Sequence, residues 1–286
     1  MATLYVDRAG VELRTDGRSL SIYENTQLER SIPLILLDRI VIAAPTRLTS
    51  GLLAWLGRWR IGLVVLSRSD SGRAAFLLGA PMGDGARRIG QYRAYLDEGW
   101  RRRFSRRLIR AKLAAQVRTL RHLIRERPDA RKPLHDALEQ IARSAAQLRE
   151  SEPPPLAVLR GIEGASAVAY FQALSCVFPP SAGFEGRNRR PPRDPVNVCL
   201  SLAYTLAHYE AVNVIHSAGL DPFIGFYHDL AWNRESLACD LIEPLRPRLD
   251  AWIWELFRSR LLRKEHFHQR EARCELGKAG RRIFYE

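Results

Sequence analysis

Four side chains in this sequence could handle a metal ion or a proton, and all four sit in apolar surroundings. Asp240 and Glu243 lie in SLACDLIEPLRP (236–247), three residues apart, so a helix brings both to one face. Leu237, Leu241 and Leu245 mark the adjoining face as the buried one. Two carboxylates beside an apolar face repel each other and lose solvation. Either both point to solvent, or a divalent cation or an arginine neutralises them. His228 ends AGLDPFIGFYH, fifteen residues before Glu243, where Gly219 and Gly225 allow a turn that carries the imidazole across to the next helix. Glu163 lies in RGIEGASAVAYF (160–171), between Gly161 and Gly164 and among apolar neighbours. A carboxylate in that setting needs a partner. A structural salt bridge, for instance to Arg160, satisfies it as well as a cation does. Carboxylate oxygens suit Mg²⁺ or Mn²⁺, and an imidazole in the set shifts the preference toward Mn²⁺. The other histidines considered, His208, His216, His266 and His268, have no comparable setting.

Two regimes of periodicity must position these groups. Up to about residue 80, short β-favouring runs alternate with turns such as Asp16-Gly17, and TSGLLAWLGRW reads as one short helix capped by Thr49 or Ser50. From residue 86 the period becomes helical. RRRFSRRLIRAKLAAQVRTLRHLIRE predicts one long amphipathic helix ending before Pro128. A second helix follows Pro133, and Pro153–Pro155 open a third. A proline-rich loop covers 179–195, and 196–217 and 236–263 return to helix, with Pro244 interrupting the last. The expected fold class is α+β: a small N-terminal β-rich domain over 1–85, then a larger all-α C-terminal domain over 86–286 that carries the candidate site.

Composition narrows the function class. The chain has 286 residues, 46% of them hydrophobic, and 45 basic against 31 acidic residues, a net charge of +14. That excludes a disordered chain and favours an anionic partner. Between residues 87 and 132, sixteen Arg or Lys face four acids. A solvated helix face accounts for any one of these charges, whereas the cluster points to a nucleic-acid backbone. RNRRPPR (187–193) adds a second basic patch. Residues 1–30 lack the apolar core of a signal peptide, and no run reads as a membrane span, so a cytoplasmic protein is expected. Cys176, Cys199, Cys239 and Cys274 form no CxxC pair and read as reduced, mostly buried thiols. No glycine-rich phosphate loop is present: PMGDGARR lacks the spacing. On these grounds alone a metal-dependent nuclease and a non-catalytic nucleic-acid-binding protein stand level.

A resemblance separates them. TLYVDRAGVELR, IPL…DRIVI, RRIGQY, RGIEGASAVAYF, FEGRNRRPPRDPVNVCLSLAYTL, AGLDPFIGFYH and SLACDLIEPLRP occur in the order found in the CRISPR-associated spacer-acquisition integrase/endonuclease family, which the chain resembles over most of its length. The resemblance implies an N-terminal β domain for dimerisation and partner contacts, and a helical catalytic domain. It implies a metal site of Glu163, His228 and Glu243, loaded with Mg²⁺ or Mn²⁺, with Asp240 as a further catalytic carboxylate. It implies insertion of captured DNA into a CRISPR array by 3′-hydroxyl attack on a phosphodiester. The implied partners are double-stranded DNA with free 3′ ends, CRISPR repeat DNA, a second copy of the chain, and a dimer of a small CRISPR-associated protein, together a heterohexamer. Arg187 and Asn197 match the family segment before the histidine, and together with Arg189 and Arg190 they are expected near DNA. Arg101, Arg102, Arg103, Arg106, Arg107 and Lys112 of the long helix are expected to hold its backbone. Two rivals remain: a metal-dependent, structure-selective nuclease acting alone in repair, and a DNA-binding scaffold with an inert pocket.

Overall fold

The computed structural model describes residues 2–66, 74–77, 85–149, 152–188, 191–270 and 273–285. Within them the chain mixes strands and helices and divides into two units. The first comprises 1–88 and 212–221, the second 89–211 and 222–286. Residues 212–221 thus belong with the strand-rich part, which a single cut in the sequence does not anticipate.

In the first unit the strands are β1 (Ala2–Val6), β2 (Val11–Thr15), β3 (Ser19–Glu24), β4 (Gln27–Pro33), β5 (Leu37–Ile42), β6 (Thr46–Leu48), β7 (Gly62–Leu66) and β8 (Ala74–Leu77). They form two four-stranded sheets, ordered β4-β3-β2-β6 and β1-β5-β7-β8. The Asp16-Gly17 turn joins β2 to β3. Asp16 Oδ1 accepts from the Arg18 and Ser19 amides, and Gly17 takes φ +92°. The apolar run IPLILLDRIVI is not one strand: Pro33 closes β4, Leu34–Leu36 form a 3₁₀ turn, and β5 follows. Helix α1 (Ser50–Trp59) is capped by Thr49, whose side chain accepts from the Leu52 amide. Its Leu52 and Leu56 join Val11, Leu13, Leu20 and Ile40 in the core of this unit.

The remaining helices, among which the first residues of α2 and the last of α6 belong to the first unit, are α2 (Gly85–Leu96), α3 (Glu98–Glu126), α4 (Arg131–Gln147), α5 (Leu156–Ser175), α6 (Pro195–Ser217), α7 (Ser236–Ile242) and α8 (Arg246–Arg258). They are followed by β9 (Phe267–Arg270), β10 (Arg273–Leu276) and α9 (Lys278–Tyr285). The expected all-α domain is therefore corrected: β9 and β10 pair antiparallel. Asp97 caps α3 by accepting from the Trp100 amide. One face of α3 buries Leu108, Ile109, Leu113, Leu120 and Leu123 with Leu134 and Ile141 of α4 and Leu159 and Tyr170 of α5. Its outer face exposes Arg103, Arg107, Arg110, Arg118, Arg121 and Arg125, three, four or eight residues apart. Helix α6 is long and apolar enough to cross a membrane by length and composition. Its Val196, Cys199, Leu200, Ala203 and Tyr204 are buried in the core, which accounts for that composition without a membrane. All four cysteines are free, with Cys199 and Cys274 buried, Cys239 partly buried and Cys176 exposed.

Candidate active site

Local backbone geometry places His228. Gly225 packs so closely on the start of α7 that a Cβ there would lie 2.5 Å from the carbonyl carbon of Ser236. Only glycine permits this approach, which brings the 226–228 backbone over α7. There Asp240, fully buried, accepts from three successive amides: Phe226 at 2.6 Å, Tyr227 at 3.0 Å and His228 at 3.0 Å. Its Oδ1 also lies 2.7 Å from His228 Nδ1. A carboxylate facing Nδ1 selects the tautomer with the proton there and leaves the Nε2 lone pair available to a ligand. Asp240, expected as a further catalytic carboxylate, has both its oxygens engaged in holding the histidine loop.

The same short helix overturns the expected burial stripe. Leu237 is buried, but Leu241 of α7 and Leu245 in the break beyond it are exposed, because the inward face of α7 is given to Asp240 and Ile242. Pro244 leaves a break between α7 and α8, and Glu243 sits in that break. Glu243 does not point to solvent; it is 6% exposed.

Glu163 and Glu243 converge on one cation, the ammonium of Lys112. Lys112 Nζ donates to Glu163 Oε1, and to Glu243 Oε2 at 2.5 Å. On the other side of Glu243, Arg246 Nε lies 3.0 Å from Oε1 as an ion pair. Burial pushes the Glu243 carboxyl up, but the charges of Lys112, Arg246 and His228 together outweigh it and hold it below its ordinary value. Tyr227 packs edge-on against His228, with centroids 5.1 Å apart. Its phenol is pushed up by burial and by the charges of Glu163 and Glu243. A Cβ at Gly161 or Gly164 would meet nothing within 4 Å, so the space beside Glu163 is open.

Arg160 is not the partner of Glu163. It bridges to Asp229 Oδ2 at 2.7 Å and donates to Tyr227 O at 3.0 Å. Arg101 joins the same clamp, donating to Phe226 O at 3.2 Å with Nη2 3.4 Å from Asp229 Oδ1. Behind Glu243, the Arg246 guanidinium lies 4.5 Å from the Tyr204 ring centroid, with Arg187 at 5.4 Å from the same ring. Tyr204 donates to buried Asp250, whose carboxyl is pushed up to about 6 by burial, partly offset by the hydrogen bonds it accepts.

The residues expected at DNA divide. Arg103 and Arg107 are exposed on α3, and Arg106 is partly buried. Arg101 and Arg102 are occupied with carbonyl oxygens, Arg102 with those of Pro153 and Pro154. Lys112 is 7% exposed and lies among the acids instead of on the surface. Asn197 is fully buried, accepting from Arg187 at 2.7 Å and the Asn188 amide and donating to Gly186 O, so it organises its loop. Arg187 also donates to Ser201 Oγ at 3.1 Å. Arg189 and Arg190 lie outside the described residues. Sequence reasoning missed the site roles of Lys112 and Arg246. Lys112 was hidden in a basic run, while Arg246 carried a usable signal, one helical turn past Glu243. It also missed His208, whose Nε2 lies 3.3 Å from Glu235 Oε2. Burial pushes His208 down, but hydrogen bonds to Cys239 and Glu235 outweigh it and hold the imidazole up to about 9.

The donor set fits the implied divalent cation. Two carboxylates already converge on one cationic position, and the tautomer of His228 leaves Nε2 free to ligate, which suits a hard or borderline divalent ion. Among the described residues no three His, Cys, Asp or Glu side chains already surround one metal-sized point.

Comparison with known proteins identifies the family of the chain. The family model described as "CRISPR associated protein Cas1" matches residues 4–286. The chain is 38% identical over 288 residues to the CRISPR-associated endonuclease Cas1 1 of Thermodesulfovibrio yellowstonii, covering 100% of this chain and 89% of that one. It is 32% identical to the CRISPR-associated endonuclease Cas1 3 of Thermus thermophilus, covering 95% and 79%. Among solved structures, a casposase bound to its integration product superimposes with a TM-score of 0.82 at 24% identity, covering 99% of this chain and 80% of that one. A Cas6-RT-Cas1–Cas2 complex gives 0.80 at 21%, covering 99% and 31%. At those identities the structural likeness bears on fold alone.

Proposed function

The chain belongs to the CRISPR-associated Cas1 family and is an enzyme of the endonuclease/integrase class, and from that premise we propose that its acid cluster carries out metal-dependent phosphodiester transfer on DNA. One observation carries the reading: Glu163 and Glu243, eighty residues apart, converge on a single cation beside a histidine locked by Asp240. Glu163, His228 and Glu243 are the residues that would hold Mg²⁺ or Mn²⁺. Such an ion, when bound, neutralises charge on a phosphate and lowers the pKa of a hydroxyl at its side.

The chain's own groups do the rest. Asp240 fixes the imidazole with its proton on Nδ1 and Nε2 left to ligate, and Arg246 offsets the charge of Glu243. The Arg160–Asp229–Arg101 clamp holds the loop that carries His228. The exposed arginines of α3 offer contacts to phosphates without reading bases. In integration, a captured DNA fragment brings a 3′-hydroxyl. Its oxygen forms a bond to a phosphorus in the CRISPR repeat, the bond from that phosphorus to the strand's 3′ oxygen breaks, and the proton lost by the nucleophile is balanced by protonation of the leaving oxygen. With water as nucleophile the same site cleaves DNA. The partners in this reading are duplex DNA with free 3′ ends, repeat DNA, a second copy of the chain, and a dimer of a small CRISPR-associated protein.

The test supplies the purified chain, that partner, short duplexes with free 3′-hydroxyls and a repeat-containing target, with MgCl₂ or MnCl₂. Joined product should form only with metal. Glu163→Gln and His228→Ala should each reduce joining by more than about a hundredfold while DNA binding persists. Normal joining by either variant would sink the ligand assignment.

A further inference from the structure

We propose that Lys112 is a resident counter-cation of the acid site: it holds Glu163 and Glu243 together while no divalent ion is present, and the ion enters by displacing its ammonium. The inference rests on the reading of Glu163, His228 and Glu243 as a divalent-cation site. It assigns to Lys112 a positioning role that its place in a basic helix does not suggest.

The argument is one of charge and space. Lys112 is 7% exposed, so its ammonium has little water around it. A buried charge persists only when paired. Here both partners are carboxylates, drawn from α5 and from the break after α7. Removing the ammonium would leave two acids facing each other across a gap of one cation, with Arg246 and the His228 ring as the remaining offsets at Glu243. The pair is therefore held in a converged geometry by an internal cation. A divalent ion makes a stronger bridge to the same oxygens. Lysine can yield to it because its ammonium is a point charge on a flexible four-carbon stem. The reach of Lys112 into this site is fixed by its neighbours on α3: Leu108, Ile109 and Leu113 are buried in the core, so the helix cannot rotate.

The competing assignment for Lys112 is a DNA-backbone contact. A lysine with its ammonium engaged by two carboxylates is not available to a phosphate in the metal-free protein. The two assignments differ in a measurable way: displacement alters metal affinity in the absence of DNA, and a phosphate contact does not.

The experiment uses the full chain stripped with chelator, without DNA. MnCl₂ is titrated by calorimetry into the wild type and into Lys112→Met. Displacement predicts that Lys112→Met binds Mn²⁺ about tenfold or more tighter, since a competing unit charge has been removed from contact with two ligands. The same variant, free of metal, should melt lower than the wild type and recover on adding Mn²⁺. A second measurement does not depend on the variant folding. The chain has four lysines, and Lys132, Lys264 and Lys278 are exposed. In ¹⁵N-lysine-labelled wild type, Lys112 should alone give a slowly exchanging ammonium resonance, and saturating MgCl₂ should remove its protection. Metal binding that leaves this resonance protected, or an Mn²⁺ affinity equal or weaker in Lys112→Met, overturns the role given to Lys112 and leaves the metal site standing. No binding of either ion by any form overturns the metal site itself and the displacement with it.

Discussion

At the scale of single residues, Asp240 and His208 lead to distinct expectations. Asp240 accepts three amides and faces the imidazole, so its removal leaves buried donors unpaired and frees His228 to rotate. Asp240→Asn should cost about 2–3 kcal/mol of stability, measured by urea unfolding. It should slow joining about 10- to 100-fold with DNA affinity unchanged. An Asp240→Asn enzyme with wild-type kinetics would show that the imidazole needs no orienting. His208 bears on pH. Its folded value is raised from 6.5 to about 9. Its protonated form therefore stabilises the fold fully below 6.5, and that contribution is lost as pH rises through about 9. The difference in melting temperature between the wild type and His208→Gln should be largest near pH 6 and shrink toward pH 9.5. A difference that stays constant across the range would place the cause elsewhere than in the charge.

Elements decide whether those residues meet. The loop from Pro222 to Glu235 can lie on α7 because position 225 has no side chain, and a Cβ there would strike backbone, which cannot move aside. Gly225→Ala should therefore destabilise the protein by about 1–3 kcal/mol. It should impair joining more than a surface alanine substitution in the same loop, such as Trp232→Ala, does. If Gly225→Ala melts like the wild type, the close approach is not a constraint. Helix α7 shows how a pattern misleads at this scale. Its Leu237 and Leu241, with Leu245 just beyond it, are spaced by four and predict a buried stripe, yet Leu241 and Leu245 stand in solvent. A helix of seven residues has room to turn one side inward, and three loop amides that would otherwise lack an acceptor make the aspartate side the more costly one to leave out.

At the scale of the whole molecule, charge is the governing quantity. The net +14 is concentrated in a segment whose main helix, α3, lays one face in the core and presents a face of arginines to solvent. Binding to duplex DNA should be insensitive to sequence and fall steeply with salt. Substituting Arg107, Arg110 and Arg118 by glutamate should reduce the salt slope by about one unit for each phosphate that is no longer neutralised. An unchanged slope would move the electrostatic footprint to another surface.

Much was legible in the sequence because it depends on local pattern. Strand and helix periods, the Asp16-Gly17 turn, the Thr49 cap and the break at Pro244 are short-range consequences of residue type. The acids and the histidine drew notice because ionisable groups in apolar runs need partners. What the sequence could not decide was which partners. Lys112 reads as one cation among sixteen until α3, α5 and the break after α7 are brought together, and only then does it lie between Glu163 and Glu243. Asp240 reads as one more catalytic carboxylate until the fold commits its oxygens to three amides and the His228 imidazole. Local chemistry determined which groups this protein has to neutralise; for Glu163 and Glu243 long-range packing decided that Lys112 does so, because it lies more than fifty residues from either along the chain and meets them only when α3, α5 and the break after α7 come together.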